Sequence, residues 1–269
     1  MSRSERYPGP ESQRQRSAAA WQLWTLPLAI VAGLIVWAAA ASWGDLPAFL
    51  LPSPAGVWNR LVEALRDGSL LRHAGVTLQE VLAGLSLGLA VASAIGYLVA
   101  KSPAAERLLS PYIIASQSIP IVAIAPLLVI WFGPGRISKI LICALIVFFP
   151  VLVNTVVGVR SVPADLRDLM RSLRATRWQT FLRLEVPAAM PVLLGGLKIG
   201  ATLSVIGAVV GEFVGADEGL GFLVNIGRGL YDTALVFVAV FALVVMAMTL
   251  YGLVAALERR VLIWQGPKA

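Results

Sequence analysis

The chain has 269 residues, of which 58% are apolar and only 14% are charged, and its mean hydropathy is +0.80. Soluble domains carry roughly a quarter charged residues, so this composition excludes a soluble globular protein.

The net charge of +7 could indicate nucleic-acid binding in a soluble protein. Most of the Lys and Arg residues lie in short segments between apolar stretches, however, and we expect no nucleic-acid partner. Cys143 and His73 are the only residues of their types, so we expect neither a disulfide framework nor a metal site.

Six apolar stretches are long enough to cross a bilayer and predict an all-α, polytopic membrane bundle without a separate soluble domain. The predicted domain comprises residues 21–262, between a disordered cytoplasmic tail at 1–20 and a C-terminal cytoplasmic tail at 263–269. The predicted spans are 24–43, 78–100, 108–132, 138–159, 188–213 and 233–257.

The distribution of basic residues predicts the orientation of these spans. With the N-terminus inside, the inner segments carry 15 Lys and Arg residues and the outer segments carry six. The positive-inside rule therefore places both termini in the cytoplasm. The first span could instead be a cleaved signal peptide, but its apolar run is longer than usual, and Trp21, Trp24 and Trp43 flank it like interface anchors. We favour a retained membrane anchor.

The first outer loop predicts a helix on the membrane surface, because Val57, Leu61 and Leu65 recur at helical spacing. This helix could pack against the bundle, serve as a docking surface, or do both. In the third span, Pro120 and Pro126 each remove a backbone donor and predict a kinked or interrupted helix. Breaks at membrane depth are tolerated beside protein or a water-filled pathway, so this span, with Gln117 before the break, is a candidate pathway lining.

Ionisable and polar groups within the spans are further pathway candidates, namely Lys198, Glu212 and Asn154. Lys198 could reach the inner surface, pair with a neighbouring helix or meet an anionic substrate. Glu212 is expected to act near the outer end of its span. The small residues of the second span predict a helix-contact face: Gly84, Ser86, Gly88, Ala92, Ser93 and Gly96.

The inner loop at 161–187 is patterned as an amphipathic helix. Leu166, Leu169, Met170 and Leu173 fall at i, i+3, i+4 and i+7, opposite Arg167, Arg171 and Arg174. Such a helix can rest its apolar stripe in a groove of another protein, or lie on lipid headgroups with its arginines toward phosphate.

At this loop the sequence resembles the membrane subunits of bacterial, binding-protein-dependent ABC importers. The family loop reads E-A-A, three residues, G, nine residues, I-x-L-P. Here Asp168, Leu169 and Met170 stand at E-A-A, Arg174 stands at G, and Leu184-Glu185-Val186-Pro187 ends the motif. Because Arg174 replaces the glycine, we expect Ala175 and Thr176 to make the turn without a residue of positive φ.

The resemblance extends from about Leu51 to the last span and favours the nitrate, sulfonate, taurine and thiamine-precursor or riboflavin branch. It implies a type I importer permease fold with a coupling helix within 163–183 that docks on a separate ATP-binding subunit. It also implies a pathway formed by two copies of the chain and a binding protein that delivers substrate. The coupling residues it implies are Asp168, Leu169, Met170, Arg171, Leu173 and Arg174.

The sequence contains no G-x-x-x-x-G-K-[S/T] phosphate loop, so we expect a separate partner subunit to bind ATP and Mg²⁺. The resemblance implies that the chain itself lies in the bacterial cytoplasmic membrane. An ion-coupled secondary transporter is the alternative; it would require several buried carboxylates and an internal repeat, neither of which the sequence indicates. An intramembrane enzyme would need a constellation of acids, metal ligands or nucleophiles that the spans lack. The substrate is expected to be a pyrimidine or thiamine precursor or riboflavin, with sulfonate, taurine or nitrate also open.

Overall fold

The computed structural model describes residues 10–43, 47, 49–117 and 119–263, and within these ranges it contains helices and no strand. A π-helical turn at Phe181–Glu185 directly precedes the long helix Val186–Gly215. The α-helices, in chain order, are α1 Pro10–Trp43, α2 Pro54–Arg66, α3 Ser69–Lys101, α4 Pro103–Gln117, α5 Ile121–Phe132, α6 Arg136–Arg160, α7 Ala164–Ser172, α8 Arg177–Thr180, α9 Val186–Gly215, α10 Leu220–Gly229 and α11 Thr233–Val261.

The helices confirm the predicted polytopic bundle. Four of them are long and apolar enough to cross a membrane: α3, α6, the continuous helix Arg177–Gly215 and α11. The apolar part of α1, Pro27–Ser42, and the helix α5 are shorter. Each of the six predicted spans coincides with one of these apolar helices, and the third span comprises α4 together with α5.

The N-terminal region differs from the expectation of a disordered tail over residues 1–20. The helix α1 begins at Pro10, so residues 10–20 are helical in the structure, whereas residues 1–9 lie outside the described residues. The reason is local, because residues 10–20 contain Glu, Gln, Arg and Ala, which are strong helix formers, and proline suits the first helical position.

The third predicted span is interrupted, as its prolines indicate. The helix α4 ends at Gln117, and α5 begins at Ile121 with Pro120 in an extended conformation at its N-cap. Pro126 lies inside α5 and removes one further backbone donor from that helix. The prediction of a broken helix is confirmed.

The centre of the bundle is a layer in which α6 packs between α3 and α9. A Cβ atom on Gly84 of α3 would clash with the Cβ of Cys143, and one on Gly207 of α9 would lie 2.8 Å from the Cα of Cys143. A Cβ atom on Gly88 or on Gly96 of α3 would also lie 2.8 Å from the nearest atom of α6. Glycine is required here because the backbones approach within the space of a side chain. The predicted helix-contact face of α3 is confirmed at its buried members, Gly84, Gly88, Ala92 and Gly96. Ser86 is exposed.

A second apolar cluster holds α2 against α10 and α11. Val57 and Ala64 of α2 are buried with Leu220 and Val238. The helix begins where Ser53 accepts a hydrogen bond from the Gly56 N–H. The predicted packing of α2 on the bundle is therefore confirmed. Trp58 lies on the opposite face with 64% of its surface exposed, which leaves that face open to a partner.

The close approach of α3 and α6 predicts the effect of adding one methyl group. We expect Gly84→Ala to lower the free energy of unfolding by about 1–3 kcal/mol, because the new Cβ clashes with Cys143. Gly75→Ala is the matched control on the same helix, where a Cβ meets nothing within 4 Å, and we expect it to be neutral or stabilising by up to about 1 kcal/mol. Denaturant unfolding in detergent micelles measures both; equal stabilities would contradict the packing.

Candidate functional site

The loop between α6 and α9 presents an apolar stripe that nothing else in the described chain covers. No residue of α7 is buried. Leu169 and Leu173 are 53% and 67% exposed, and Leu166 is exposed beside them. Met170 is half-buried. Exposed leucines in register on one face of a charged helix are suited to a groove on another protein. The predicted amphipathic helix is present, and its apolar side is unpartnered in the single chain.

The charged side chains of α7 stabilise the helix itself. Asp168 accepts a hydrogen bond from Arg171 one turn later, at 2.9 Å, and both side chains are exposed. The guanidinium of Arg167 donates to the Val159 carbonyl at the end of α6, at 2.9 Å. The Asp168–Arg171 bond stabilises α7 itself, and the Arg167 bond fixes α7 against the end of α6. Neither contact covers the leucines.

The turn after α7 corrects the expectation for Arg174. Arg174 itself adopts the left-handed conformation, with φ of 51°, where we expected Ala175 and Thr176 to turn without a positive φ. The Arg174 N–H donates to the Arg171 carbonyl, and the Ala175 N–H donates to the Met170 carbonyl. This pair of bonds is a Schellman motif, which requires a left-handed residue at this position whatever its side chain.

The next helix starts directly after that turn. Thr176 accepts a hydrogen bond from the Gln179 N–H, and the Gln179 side chain accepts one from the Thr176 N–H. This reciprocal capping box fixes the start of α8, with its N-cap Thr176 two residues beyond Arg174. The Schellman motif and the capping box thereby fix the turn between α7 and α8, although neither helix is buried.

A buried carboxylate fixes the end of this segment to α3. Glu185, 2% exposed, accepts hydrogen bonds from the Tyr97 hydroxyl at 2.9 Å and the Lys101 ammonium at 2.5 Å. Tyr97 and Lys101 lie in the last turns of α3. We call these three residues the Glu185 cluster. Aromatic rings extend the contact, since Phe181 packs edge-on against Tyr97 and stacks on Trp178.

A cavity of about 580 Å³ lies beside the Glu185 cluster. Its walls come from the end of α3, from Val159 of α6 and from the region where α8 continues into α9. Tyr97, Trp178, Phe181 and Glu185 are among the lining residues. The junction of the loop with the bundle is therefore not tightly packed, in contrast to the α3–α6–α9 layer.

A second charged cluster lies at the opposite end of the bundle. Glu80 of α3 and Lys139 of α6 form an ion pair at 3.2 Å, with side-chain exposures of 1% and 6%. Glu212 of α9, also buried, accepts a hydrogen bond from the Thr77 hydroxyl at 2.6 Å and another from the Gly221 N–H. We call Thr77, Glu80, Lys139 and Glu212 the Glu212 cluster.

The Glu212 cluster ties the α9–α10 turn to α3. The Leu220 N–H donates to Thr77 Oγ1 at 2.8 Å, and the Gly219 N–H donates to His73 Nδ1 at 2.9 Å. Gly219 has φ of 121° and touches the Glu212 carboxylate, so a side chain there has neither the conformation nor the space it needs. On the surface of this turn Glu218 pairs with Arg72, and the hydrogen bond and positive charge of Arg72 lower the pKa of the Glu218 carboxyl.

Sequence reasoning missed the buried acids Glu80 and Glu185 and the buried Lys139. The absence of buried carboxylates was the sequence argument against a secondary transporter, and the structure overturns that argument with three of them, Glu80, Glu185 and Glu212. A signal was present for Glu80, because it lies on the same helical face as Thr77, Gly84 and Gly88. No comparable signal marked Glu185, whose partners are more than 80 residues away along the chain.

The structure does not bring together the five pathway candidates whose side chains it describes. Lys198 pairs with Glu258 of α11 at 2.7 Å, which is the pairing alternative foreseen for it. Asn154 donates to the Pro150 carbonyl and lies against Gly196 of α9. Pro120 and Pro126 are exposed at the α4–α5 break. Glu212 belongs to its cluster, and the Gln117 side chain lies outside the described residues. Within the described chain no group of three or more His, Cys, Asp or Glu residues could hold a metal ion.

The fold and the exposed amphipathic segment together define a polytopic helical membrane protein with an unpartnered amphipathic helix between two of its long helices. Comparison with a known family makes the assignment specific. The family described as "Binding-protein-dependent transport system inner membrane component" matches residues 84–263. The chain belongs to this family and is a permease subunit of an ABC importer. The secondary-transporter alternative is not favoured.

Curated relatives extend the match over most of the chain. The riboflavin transport system permease protein RibX of Chloroflexus aurantiacus is 45% identical, over 91% of each chain. The formylaminopyrimidine transport permease protein ThiX of Halalkalibacterium halodurans is 34% identical, over 86% of this chain and 92% of that protein. The putative aliphatic sulfonates transport permease protein SsuC of Bacillus subtilis is 31% identical, over 89% of this chain and 86% of that protein. These relatives confirm the predicted branch.

A solved structure confirms the fold. A chain of the MetNI methionine ABC transporter, in an inward-facing conformation, superposes with a TM-score of 0.64 at 20% sequence identity. The superposition covers 73% of this chain and 97% of the MetNI chain. The predicted importer permease fold is therefore confirmed.

The left-handed Arg174 predicts that glycine is the better residue at this turn. We expect Arg174→Gly to stabilise the α7–α8 turn by about 1 kcal/mol, because glycine adopts positive φ without the clash of a Cβ atom. The readout is hydrogen exchange of the Ala175 amide in the full chain, which should slow about fivefold. Arg171→Gly is the control within α7, where glycine should speed exchange instead. Faster exchange in both variants would contradict the observed turn.

Proposed function

We propose that two copies of this chain form the translocation pathway of a bacterial ABC importer and that α7 is its coupling helix. In this proposal α7 docks on a separate ATP-binding subunit that binds ATP and Mg²⁺, and an extracytoplasmic binding protein delivers the substrate. The single observation that carries the proposal is the exposed apolar stripe of α7, held in place by the Schellman turn and the capping box. Leu169, Met170 and Leu173 would enter a groove of the ATP-binding subunit, with Asp168, Arg171 and Arg174 at its polar rim.

We further propose an orientation in which both termini and α7 face the cytoplasm, in the bacterial cytoplasmic membrane. The inner segments then carry most of the basic residues, as the positive-inside rule requires. We propose that α1 is retained as a membrane anchor. Trp37 of α1 supports this, because it stacks on Phe237 of α11 and donates to the Pro52 carbonyl. Membrane lipid would cover the remaining apolar faces of the bundle.

For the pathway, we propose the broken α4–α5 region with Pro120 and Pro126 as a lining segment shared with the second copy. Its apolar side chains are exposed in the single chain, including Val122 at 62% and Ile130 at 73%. Exposed backbone breaks are tolerated at membrane depth only where protein or water satisfies the free carbonyls. A second copy facing this segment would provide protein contacts and would enclose a water-filled pathway. Gln117, Asn154 and Lys198 would then lie beside or behind this lining.

For the substrate, we propose a nitrogen heteroaromatic compound, either riboflavin or a pyrimidine precursor of thiamine. The support is the gradient of identity, from 45% for the riboflavin permease to 34% for the formylaminopyrimidine permease and 31% for sulfonate and taurine permeases. Aliphatic sulfonates and taurine are the competing class.

Crosslinking tests the coupling proposal. A photo-crosslinking residue at Arg171, introduced in native membranes, should capture an ATP-binding subunit. The double change Leu169→Asp and Leu173→Asp should reduce capture at least tenfold, since charged groups in a buried apolar contact cost about 2 kcal/mol or more. A crosslinker at Trp58 is the control and should capture the binding protein but no ATP-binding subunit. Capture of lipid alone from Arg171 would contradict the proposal.

Uptake tests the substrate proposal. Cells that lack riboflavin and thiamine synthesis, and that express this chain with its neighbouring transporter genes, should accumulate labelled riboflavin or formylaminopyrimidine. The same cells carrying the double Asp variant should not, because the transporter is uncoupled from its ATP-binding subunit. Uptake of labelled taurine or alkanesulfonate, without uptake of either heteroaromatic compound, would place the chain with the sulfonate class.

A further inference from the structure

The Glu185 cluster has a cost that the docking of α7 does not explain. Glu185 is 2% exposed, and burying a carboxylate in a bundle is unfavourable unless partners compensate for it. An apolar side chain would fill this position more cheaply. The partners, Tyr97 and Lys101, both come from α3, whereas Glu185 lies in the segment that connects α7 to α9. The cluster is therefore a specific attachment between two elements that are distant in sequence.

This attachment is the main polar link between α3 and that segment. Among the described residues, the hydrogen bonds that join α3 to residues 177–185 are those of Tyr97 and Lys101 with Glu185. The ring contact of Tyr97 with Phe181, at 5.1 Å between centroids, acts at the same place. By contrast, the rest of α3 contacts α6 and α9 through close-packed small residues.

The backbone that ends at Glu185 departs from a regular α-helix. Residues 181–185 form a π-helical turn in which the Val186 N–H donates to the Phe181 carbonyl, five residues earlier. Pro187 cannot donate to the carbonyl four residues before it, so a regular α-helix is weakened at this point. π-Helical turns are rare and occur often at functional sites. The adjacent cavity of about 580 Å³ gives Trp178 and Phe181 space to shift.

We propose that Glu185 is a positioning residue that makes the end of α3 move together with the coupling segment. In this view α7 and α8 are displaced by the ATP-binding subunit, and the Glu185 cluster transfers this displacement to the end of α3. Since α3, α6 and α9 pack as one layer, the three helices follow as a unit. Without the cluster, the π-helical turn would absorb the displacement before it reached the layer. This inference rests on the proposed coupling function of α7 and names the residues through which that function reaches the bundle.

The test uses the full transporter with its ATP-binding subunit, spin-labelled at one of two positions. Ser172→Cys reports on α7, and Leu98→Cys, next to Tyr97 and 54% exposed, reports on the end of α3. Cys143 is fully buried and does not compete for the label. Distances between the two copies are measured by pulsed electron paramagnetic resonance without nucleotide and with ATP plus orthovanadate. In the wild type, both distances should change.

Glu185→Leu should separate the two movements. The α7 distance should change as in the wild type, whereas the change at position 98 should fall to less than half. Leucine suits a buried site, and Tyr97 and Lys101 are partly exposed and can be solvated, so we expect the variant to fold. Glu185→Gln, which keeps an acceptor for Tyr97, should give an intermediate loss. Lys101→Arg preserves the ion pair and should retain the full change.

Glu106→Gln is the matched control, because it removes an ion pair with Arg160 between α4 and α6 without touching the coupling segment. It should leave both changes intact. A normal change at position 98 in Glu185→Leu would overturn the inference while leaving the proposed function in place. A wild-type complex in which position 172 does not respond to nucleotide would overturn the proposed function, and this inference with it.

Discussion

The close packing of α6 between α3 and α9 is the constraint on which the rest of the structure depends. Gly84 and Gly207 approach Cys143 from opposite sides, and each leaves no room for a further side chain. Helices that pack at this distance cannot slide without large clashes, so the three helices form a rigid layer. Relative movement of the helices within this layer is therefore restricted.

Each end of the layer carries a buried acidic cluster that holds a loop. At one end Glu212 and Thr77 fix the turn between α9 and α10 against α3. At the other end Glu185, Tyr97 and Lys101 fix the junction of α8 and α9 against the same helix. Buried charges are costly and directional, so they specify one arrangement where apolar contacts would allow several. In a permease, these are the two ends at which partner proteins would act.

Some of this arrangement was predictable from local patterns. Hydropathy located all six apolar helices, the spacing of Leu166, Leu169 and Leu173 located α7, and Pro120 located the break in the third span. The small residues of α3 indicated a contact face. These predictions succeeded because helix length, amphipathicity and proline effects are set by neighbours a few residues apart. The resemblance to the family was inferred from the same kind of evidence, a motif of fixed spacing in one loop, and the family match over residues 84–263 confirms it.

The tertiary structure decided what depends on distant partners. Arg174 illustrates the boundary: its position after α7 was evident, but its left-handed conformation follows from the hydrogen bonds that close the helix. The sequence did not single out Glu80 or Lys139, and they form a buried pair because α3 and α6 bring together residues 59 positions apart. In the sequence, Glu185 was one residue of the family motif. In the structure, its carboxylate attaches that segment to α3. The sequence by itself determined the class of protein and its helices, since those follow from composition and period. The structure alone determined which charges are buried and paired, since pairing depends on how the helices pack.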